Sequence, residues 1–296
     1  MRVFLTGGTG FVGSEILRQL LTAGHSVRVL VRPNSPAGSS SLPREAEPAP
    51  GNVLDSDLSK HLEGVDCVVH LVGIIRDNPK KGVTFQKLHV DATKNIIQAM
   101  QSAGLRRLVH MSALGSDAGE TPYFTTKREA EHAVKESVLE WTVFKPSVIY
   151  GSGDEFVNML AKQVKMMPLV PVIGDGEYLL QPVSVSVVAQ SFVKACTMPG
   201  TIGKVYEVGG PQELSYNLLL DDIAEVLGKK KARKIHFPLG LMMPMIKIME
   251  NFPFFPITTA QLKMLLMNNV CDPRPFMETF EIEQPDFKEG ISEYLK

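Results

Sequence analysis

The sequence predicts an α/β protein: a doubly wound parallel sheet with a smaller, mostly helical subdomain towards the C-terminus. Three observations predict it. The chain opens on a short apolar run, Val3, Phe4 and Leu5, too brief for a helix and therefore a buried strand. Glycines follow at 7, 8, 10 and 13, and then Ile16, Leu17, Leu20 and Leu21 recur at helical spacing up to a stop at Gly24. Beyond them strands alternate with stretches of helical length to about residue 150, the pattern of parallel strands joined by helical crossovers.

At 296 residues the chain can form one large core or two domains. A hydrophobic fraction of 44% and a charged fraction of 21% are those of a globular protein. A net charge of −1 gives no general pull towards nucleic acid or anionic membrane. Cys67, Cys196 and Cys271 are far apart, odd in number and set among apolar neighbours, which predicts reduced, buried thiols, no metal site and a cytoplasmic setting. The first strand begins at once, so no signal peptide is expected. No apolar stretch is long enough to span a bilayer.

Taken in order, the strand–turn–helix of residues 1–24 carries the chemistry. The spacing is Gly7-x-x-Gly10-x-x-Gly13. A helix start leaves N–H groups unpaired and carries partial positive charge, so it suits a pyrophosphate. Side chains at Gly7 or Gly10 would obstruct the turn or the phosphate, and Gly13 lets the helix approach the sheet. Residues 26–31 form the next strand, which ends at Arg32. In a dinucleotide-binding sheet this tip faces the adenosine ribose, where a basic residue accommodates a 2′-phosphate; Arg32, with no acidic residue near it, favours NADP over NAD.

Residues 33–50, rich in Pro, Ser, Ala and Glu, read as an exposed loop; Gly51 to Asp55 follows, and then a polar helix is expected through about Leu62. Residues 65–72 form a buried strand, 85–103 a helix stopped by Gly104, 107–111 a strand ending at Ser112, 123–137 a helix, and 141–145 a strand. After Gly151 prolines and glycines shorten the pieces. A helix over 183–195 and a strand over 204–208 are expected to return to the first sheet, so that 181–209 rejoins residues 1–150 while the rest of 151–296 forms the substrate or partner subdomain. A helix over 218–227 precedes the basic run 229–234, which reads as a solvated loop. Residues 237–270 crowd Met, Leu, Ile and Phe. They read as a small helical subdomain, with a greasy pocket or a docking surface as the sharper alternative, and prolines at 238, 244, 253 and 256 argue against one long helix.

Tyr123 and Lys127 are four apart and share a helix face. A charged lysine there lowers the cost of a tyrosinate, so the phenol can exchange a proton with a substrate oxygen. Ser112, at the end of the preceding strand, is the candidate hydroxyl partner. The seven histidines form no metal or triad spacing, and His89 is assigned to packing.

With these residues in place the chain resembles the short-chain dehydrogenase/reductase superfamily, a Rossmann-type family. The resemblance lies in Thr6 to Gly13, Gly51 to Asp55, Leu71 to Gly73, Ser112, Tyr123-x-x-x-Lys127 and Lys145 to Gly151. The length and the stretches His70 to Gly73, Arg107 to Gly115, Gln181 to Val183 and Pro256 to Leu262 with Asn269-Val270 are similar to the extended or atypical branch (epimerase/dehydratase-like), in the group of the complex I 39-kDa accessory subunit and its bacterial relatives. The resemblance implies that Gly7, Thr9, Gly10, Phe11 and Val12 line the pyrophosphate, and that Arg32 meets the 2′-phosphate. It places Asn52 and Val53 beside the adenine and Leu71, Val72 and Gly73 along the cofactor. Pro146, Ser147 and Val148 then fall near the nicotinamide. Relatives with a longer serine motif carry a hydroxyl where this chain has Ala113 and Leu114, so Ser112 touches either substrate or only cofactor. Two readings follow. One is an NADP-dependent oxidoreductase or epimerase-type enzyme on a small apolar carbonyl, alcohol or quinone-related substrate, with Tyr123, Lys127 and Ser112 catalytic. The other is a non-catalytic NADP-binding accessory protein docking on a membrane complex or quinone-handling partner, peripheral to the inner membrane face.

Overall fold

The computed structural model describes residues 1–33, 42–250, 252 and 257–295. The first half alternates as the glycine and apolar pattern dictates: β1 (Arg2–Thr6), α1 (Phe11–Thr22), β2 (Ser26–Val31), β3 (Glu47–Pro50), β4 (Cys67–His70), α2 (Ala92–Ser102), β5 (Arg107–Met111), α3 (Pro122–Lys135) and β6 (Glu140–Pro146). Then come β7 (Ile149–Tyr150), α4 (Phe156–Met166), β8 (Val170–Ile173), β9 (Leu179–Leu180), β10 (Val183–Ser184), α5 (Val185–Thr197) and β11 (Lys204–Val208). The remainder is β12 (Leu214–Ser215), α6 (Tyr216–Val226), β13 (Lys234–Phe237), α7 (Leu239–Met249), α8 (Thr259–Leu266), α9 (Arg274–Phe280) and α10 (Phe287–Ser292).

Seven strands form one sheet in the order β11-β6-β5-β4-β1-β2-β3, and β1 pairs in parallel with both β2 and β4. The order reverses at β1, which leaves a crevice at the C-terminal end of that strand, where ligands of such sheets bind. Alternate residues face opposite sides. Phe4, Val68, Leu108 and Val143 pack with Ile96 and Met100 of α2, whereas the Phe144 ring lies 4.6 Å from that of Phe192 of α5, tilted by 36°. These central strands are buried on both faces, which is why they read as apolar runs. The chain divides into two compact units. The first is 1–146 with 185–207 and 274–282; the second is 147–184 with 208–273 and 283–296. β11 forms the edge of the first sheet beside β6, and α9 joins the first unit too, through Phe280 at 5.3 Å from Phe144 and 5.0 Å from Tyr206.

Three expectations need correction. Residues 33–50 are not loop throughout: 34–41 lie outside the described residues, but Glu47–Pro50 adds an edge strand to β2. Pro48 and Pro50 are compatible with it because an edge strand needs ladder bonds on one side only. The polar helix expected between Asp55 and about Leu62 shrinks to a single 3₁₀ turn, Ser59–His61, since a segment this short with a polar face cannot repay helix nucleation. And Cys271 is only half-buried, unlike Cys67 and Cys196; all three are free thiols.

In the second unit α4, α6 and α10 enclose a core of Leu160, Val164, Leu219, Leu220, Ile223, Phe287 and Ile291, with short two-stranded ladders β7–β10, β9–β12 and β8–β13 at its margins. The Met-rich stretch forms two helices rather than one. Pro244 sits inside α7, and α8 begins on a capping box between Thr258 and Gln261. Of these two helices only Ile246 and Leu262 are buried. The basic run is a solvated turn, except that Lys229 Nζ donates to Val164 O and Lys234, at the start of β13, pairs with Asp221 at 2.7 Å.

Candidate functional site

The turn after β1 is built by glycine. Gly7 has φ +76°, and a Cβ there would lie 3.2–3.3 Å from Leu71 and Val72 at the end of β4. Gly13 is tighter: its Cβ would stand 2.1 Å from the Gly7 carbonyl oxygen, so α1 touches the strand end it follows. Gly10 differs. It caps α1, donates to Gly7 O at 3.0 Å, and its added Cβ would meet nothing nearer than 3.4 Å. No acidic side chain lies in the first turn of α1 and no side chain caps it, so its N–H groups stay available to an anion. Gly10 is exposed and Thr9, Phe11 and Val12 are half-buried around it. This cradle, open where a Cβ would fill it, fits a pyrophosphate.

Other residues assigned to the nucleotide fall along the same strand ends. Arg32 is exposed directly after β2, and Gly51 N–H donates to Val31 O at 3.0 Å, which brings Asn52 and Val53 to that strand tip. Asn52 uses its side chain in an Asx turn, accepting from Leu54 N–H, and Val53 is buried. Pro146 ends β6 and accepts from Leu114 N–H at 3.0 Å. Ser147 and Val148 belong to the second unit, where Ser147 Oγ donates to Asn269 Oδ1 at 2.6 Å.

The helix residues converge on the end of β4. Thr121 caps α3 and Pro122 takes its first position, which sets the turn that presents Tyr123 and, one turn on, Lys127. Lys127 Nζ donates to Met111 O at 3.0 Å and lies where a Cβ on Gly73 would be 3.1 Å away. Burial pulls its ammonium down to about 8, opposed by the charge of Glu131. Tyr123 is half-buried, and burial lifts its phenol to about 12. The direction is opposite to the lowering expected from a neighbouring lysine, because Lys127 is committed to Met111 and the low-dielectric surroundings dominate.

Ser112 is also committed. Its Oγ donates to Glu131 Oε2 at 2.8 Å, and Ser116 Oγ donates to the same oxygen at 3.3 Å. The sequence motifs do not single out Glu131, although Tyr123, Lys127 and Glu131 run at intervals of four along one helix face. His89 lies in the site rather than merely behind it. It sits in a π-helical turn, Gln86–Asp91, ahead of α2, edge-on to Tyr123 at 5.5 Å. Its Nδ1 bonds Thr126 Oγ1 at 2.8 Å, and its Nε2 is 3.1 Å from both Ile74 N and Ile74 O. Behind it His70 is held by Thr6 at 2.7 Å and Thr93 at 3.2 Å and stacks on His110 at 5.4 Å. Burial, then the Lys127 charge, pulls both His70 and His89 down to about 3, and His110 falls well below the usual range.

The family model for NAD(P)H-binding domains matches residues 7–164. Among curated proteins, the chain is 28% identical over 271 residues to subunit 9 of the 1 alpha subcomplex of mitochondrial NADH dehydrogenase (ubiquinone) from Arabidopsis thaliana, covering 86% of this chain and 66% of that one. It is 27% identical over 198 residues to a ceramide reductase of Caulobacter vibrioides, covering 67% and 61%. The chain thus spans slightly under two thirds of the length of these relatives. The fold matches that of a UDP-glucuronic acid 4-epimerase from Bacillus cereus, solved with UDP-glucuronic acid and NAD, at a TM-score of 0.78 and 19% identity, covering 100% of this chain and 99% of that one.

Proposed function

Because this chain belongs to the NAD(P)H-binding family, we propose that it is an NADP-dependent oxidoreductase of the short-chain dehydrogenase/reductase type, acting on a small apolar carbonyl or alcohol or a quinone-related substrate. The observation that carries this reading is Lys127 Nζ, held between Met111 O and the glycine at 73, one helical turn from Tyr123. The coenzyme supplies hydride exchange when bound. Gly7, Thr9, Gly10, Phe11 and Val12 hold its pyrophosphate, Arg32 its 2′-phosphate, Asn52 and Val53 its adenine, and Leu71, Val72 and Gly73 its length, with Pro146, Ser147 and Val148 towards the nicotinamide. Tyr123 passes a proton to or from the substrate oxygen, Lys127 supplies the positive charge that makes a phenolate tolerable, and Ser112 is the orienting hydroxyl. Residues 1–150 with 181–209 hold the nucleotide in this reading, and the rest of 151–296 receives the substrate or a partner.

Two measurements test it. Tyr123→Phe should lower NADPH turnover on a carbonyl and quinone panel by roughly a hundredfold or more, the usual worth of a general acid; unchanged turnover removes the proton-transfer role. Arg32→Ala should weaken NADP binding by about ten- to a hundredfold, as loss of charge-assisted hydrogen bonds does, and leave NAD binding unchanged. Equal losses remove the 2′-phosphate assignment.

One observation favours a second reading. Ser112 donates its hydroxyl to Glu131, and Ala113 and Leu114 supply none, so the substrate oxygen has one donor fewer than a dehydrogenase of this type uses. A protein that binds NADP for stability and docks on a membrane complex needs no such donor, and the plant relative is by its name a subunit of a larger assembly, the mitochondrial NADH dehydrogenase. Tight NADPH binding without turnover on any member of the panel is its expected signature.

A further inference from the structure

The chain is nearly neutral overall, yet its second unit brings two cation-rich segments together, with Asp221 paired to Lys234 at 2.7 Å between them. Residues 226–249 carry six Lys or Arg and no Asp or Glu, and residues 156–174 carry two Lys and no acid. The ladder β8–β13 joins these two segments: Val170 N–H donates to Arg233 O at 2.7 Å, and Lys229 Nζ donates to Val164 O. The end of α4, with the start of β8, is therefore held against the basic turn. At this junction apolar side chains stand in solvent. Met166 is 71% exposed and Leu169 46%. Lys230, Lys231 and Arg233 are exposed beside them, and among the described residues none of the three forms an ion pair. At the other end of the ladder Leu239 lies over Gly174, and α7 presents Leu241, 71% exposed.

We propose that this surface docks on an anionic phospholipid bilayer. Exposed Met and Leu next to three exposed cations that pair with no carboxylate is the composition of an interfacial anchor: the apolar tips enter the acyl boundary while the cationic groups stay among the phosphates. Lysine, which supplies most of the charge here, is depleted where proteins bury one another, so the composition fits a lipid headgroup layer better than a protein face. No helix among the described residues is long and apolar enough to cross a membrane. The surface is independent of the nucleotide site and stands whether or not the chain turns over NADPH.

Flotation of the full chain with vesicles tests it. The chain floats with vesicles of phosphatidylcholine and phosphatidylglycerol in equal parts and not with phosphatidylcholine alone, and rising salt releases it. The variant Lys230→Gln/Lys231→Gln/Arg233→Gln loses about a hundredfold in vesicle affinity, roughly fivefold per charge. Met166→Ser/Leu169→Ser weakens binding on the same vesicles, whereas Lys60→Gln on the first unit leaves it unchanged. Equal flotation with both vesicle types, flotation with neither, or full retention by the charge-neutralised variant overturns the proposal. Should a variant fail to fold, salt release of the unaltered chain decides the same question: retention on the anionic vesicles at high salt overturns the proposal.

Discussion

Gly10→Ala and Gly13→Ala should fail in different ways. A methyl group on Gly13 would stand 2.1 Å from the Gly7 carbonyl oxygen and 2.8 Å from Gly8 Cα, all backbone that cannot rotate aside. The helix must move off the strand end, so Gly13→Ala should cost about 3 kcal/mol of stability, at the upper end for overpacking, and lose nucleotide binding with it. A methyl group on Gly10 meets only Gly7 O, at 3.4 Å. There the fold should survive within about 1 kcal/mol, the cost of a poorer helix cap. The added methyl instead fills the space a pyrophosphate would enter, so coenzyme affinity should fall by roughly a hundredfold. Thermal unfolding and coenzyme titration of the two variants separate the effects. If Gly10→Ala binds the coenzyme as the parent does, the turn is not the phosphate site; if Gly13→Ala is as stable as the parent, the close approach is not a constraint on this fold.

That opening turn was legible because three kinds of signal coincide there: an apolar run, glycines at fixed spacing and a helical period. Where one signal stands alone the sequence is less informative. Pro48 and Pro50 read as strand breakers, and only the position of β3 at the sheet edge makes them harmless. The π turn at 86–91 keeps a helix-like apolar pattern, so nothing in the spacing announces that His89 is carried against Tyr123. Phe276 and Phe280 close the core around Phe144 from more than 130 residues away, a contact that periodicity cannot register. The candidate site divides the same way. Tyr123 and Lys127 follow from local spacing, but the engagement of Ser112 by Glu131 depends on where the end of β5 meets the third turn of α3.

The buried histidines imply an unusual sensitivity to acid. His70 and His89 are held down to about 3, against 6.5 when exposed, and His110 is depressed as well. Unfolding therefore takes up protons between those values, which means that stability rises with pH there and drains away as the pH falls below 6.5 towards 3. At pH 4 each of the first two costs roughly 3 kcal/mol, a large share of a typical folding free energy. The histidines at 70 and 89 alone should give the unfolding free energy a slope of about 2.7 kcal/mol per pH unit between pH 4 and 5.5, before His110 and the carboxylates are counted. His110→Leu isolates the third histidine. Neither ring nitrogen of His110 has a hydrogen-bond partner among the described residues, so the change breaks no bond, and it should make the acid limb shallower while leaving or raising stability at pH 7. Lys127 acts at the other end of the scale with the same sign. Its ammonium is held at about 8 against 10.5, so the burial cost it carries at neutral pH is relieved between pH 8 and 10.5, and stability should climb again by roughly 3 kcal/mol. Lys127→Met should flatten that second rise and also shorten the first at its acid end, because the Lys127 charge helps hold His70 and His89 down. Urea unfolding across pH 4 to 10.5 reads both limbs; a parent curve flat from 4 to 6.5 would mean that the histidines are protonated in the fold and that the stacked pair at 70 and 110 is not the neutral core this packing requires.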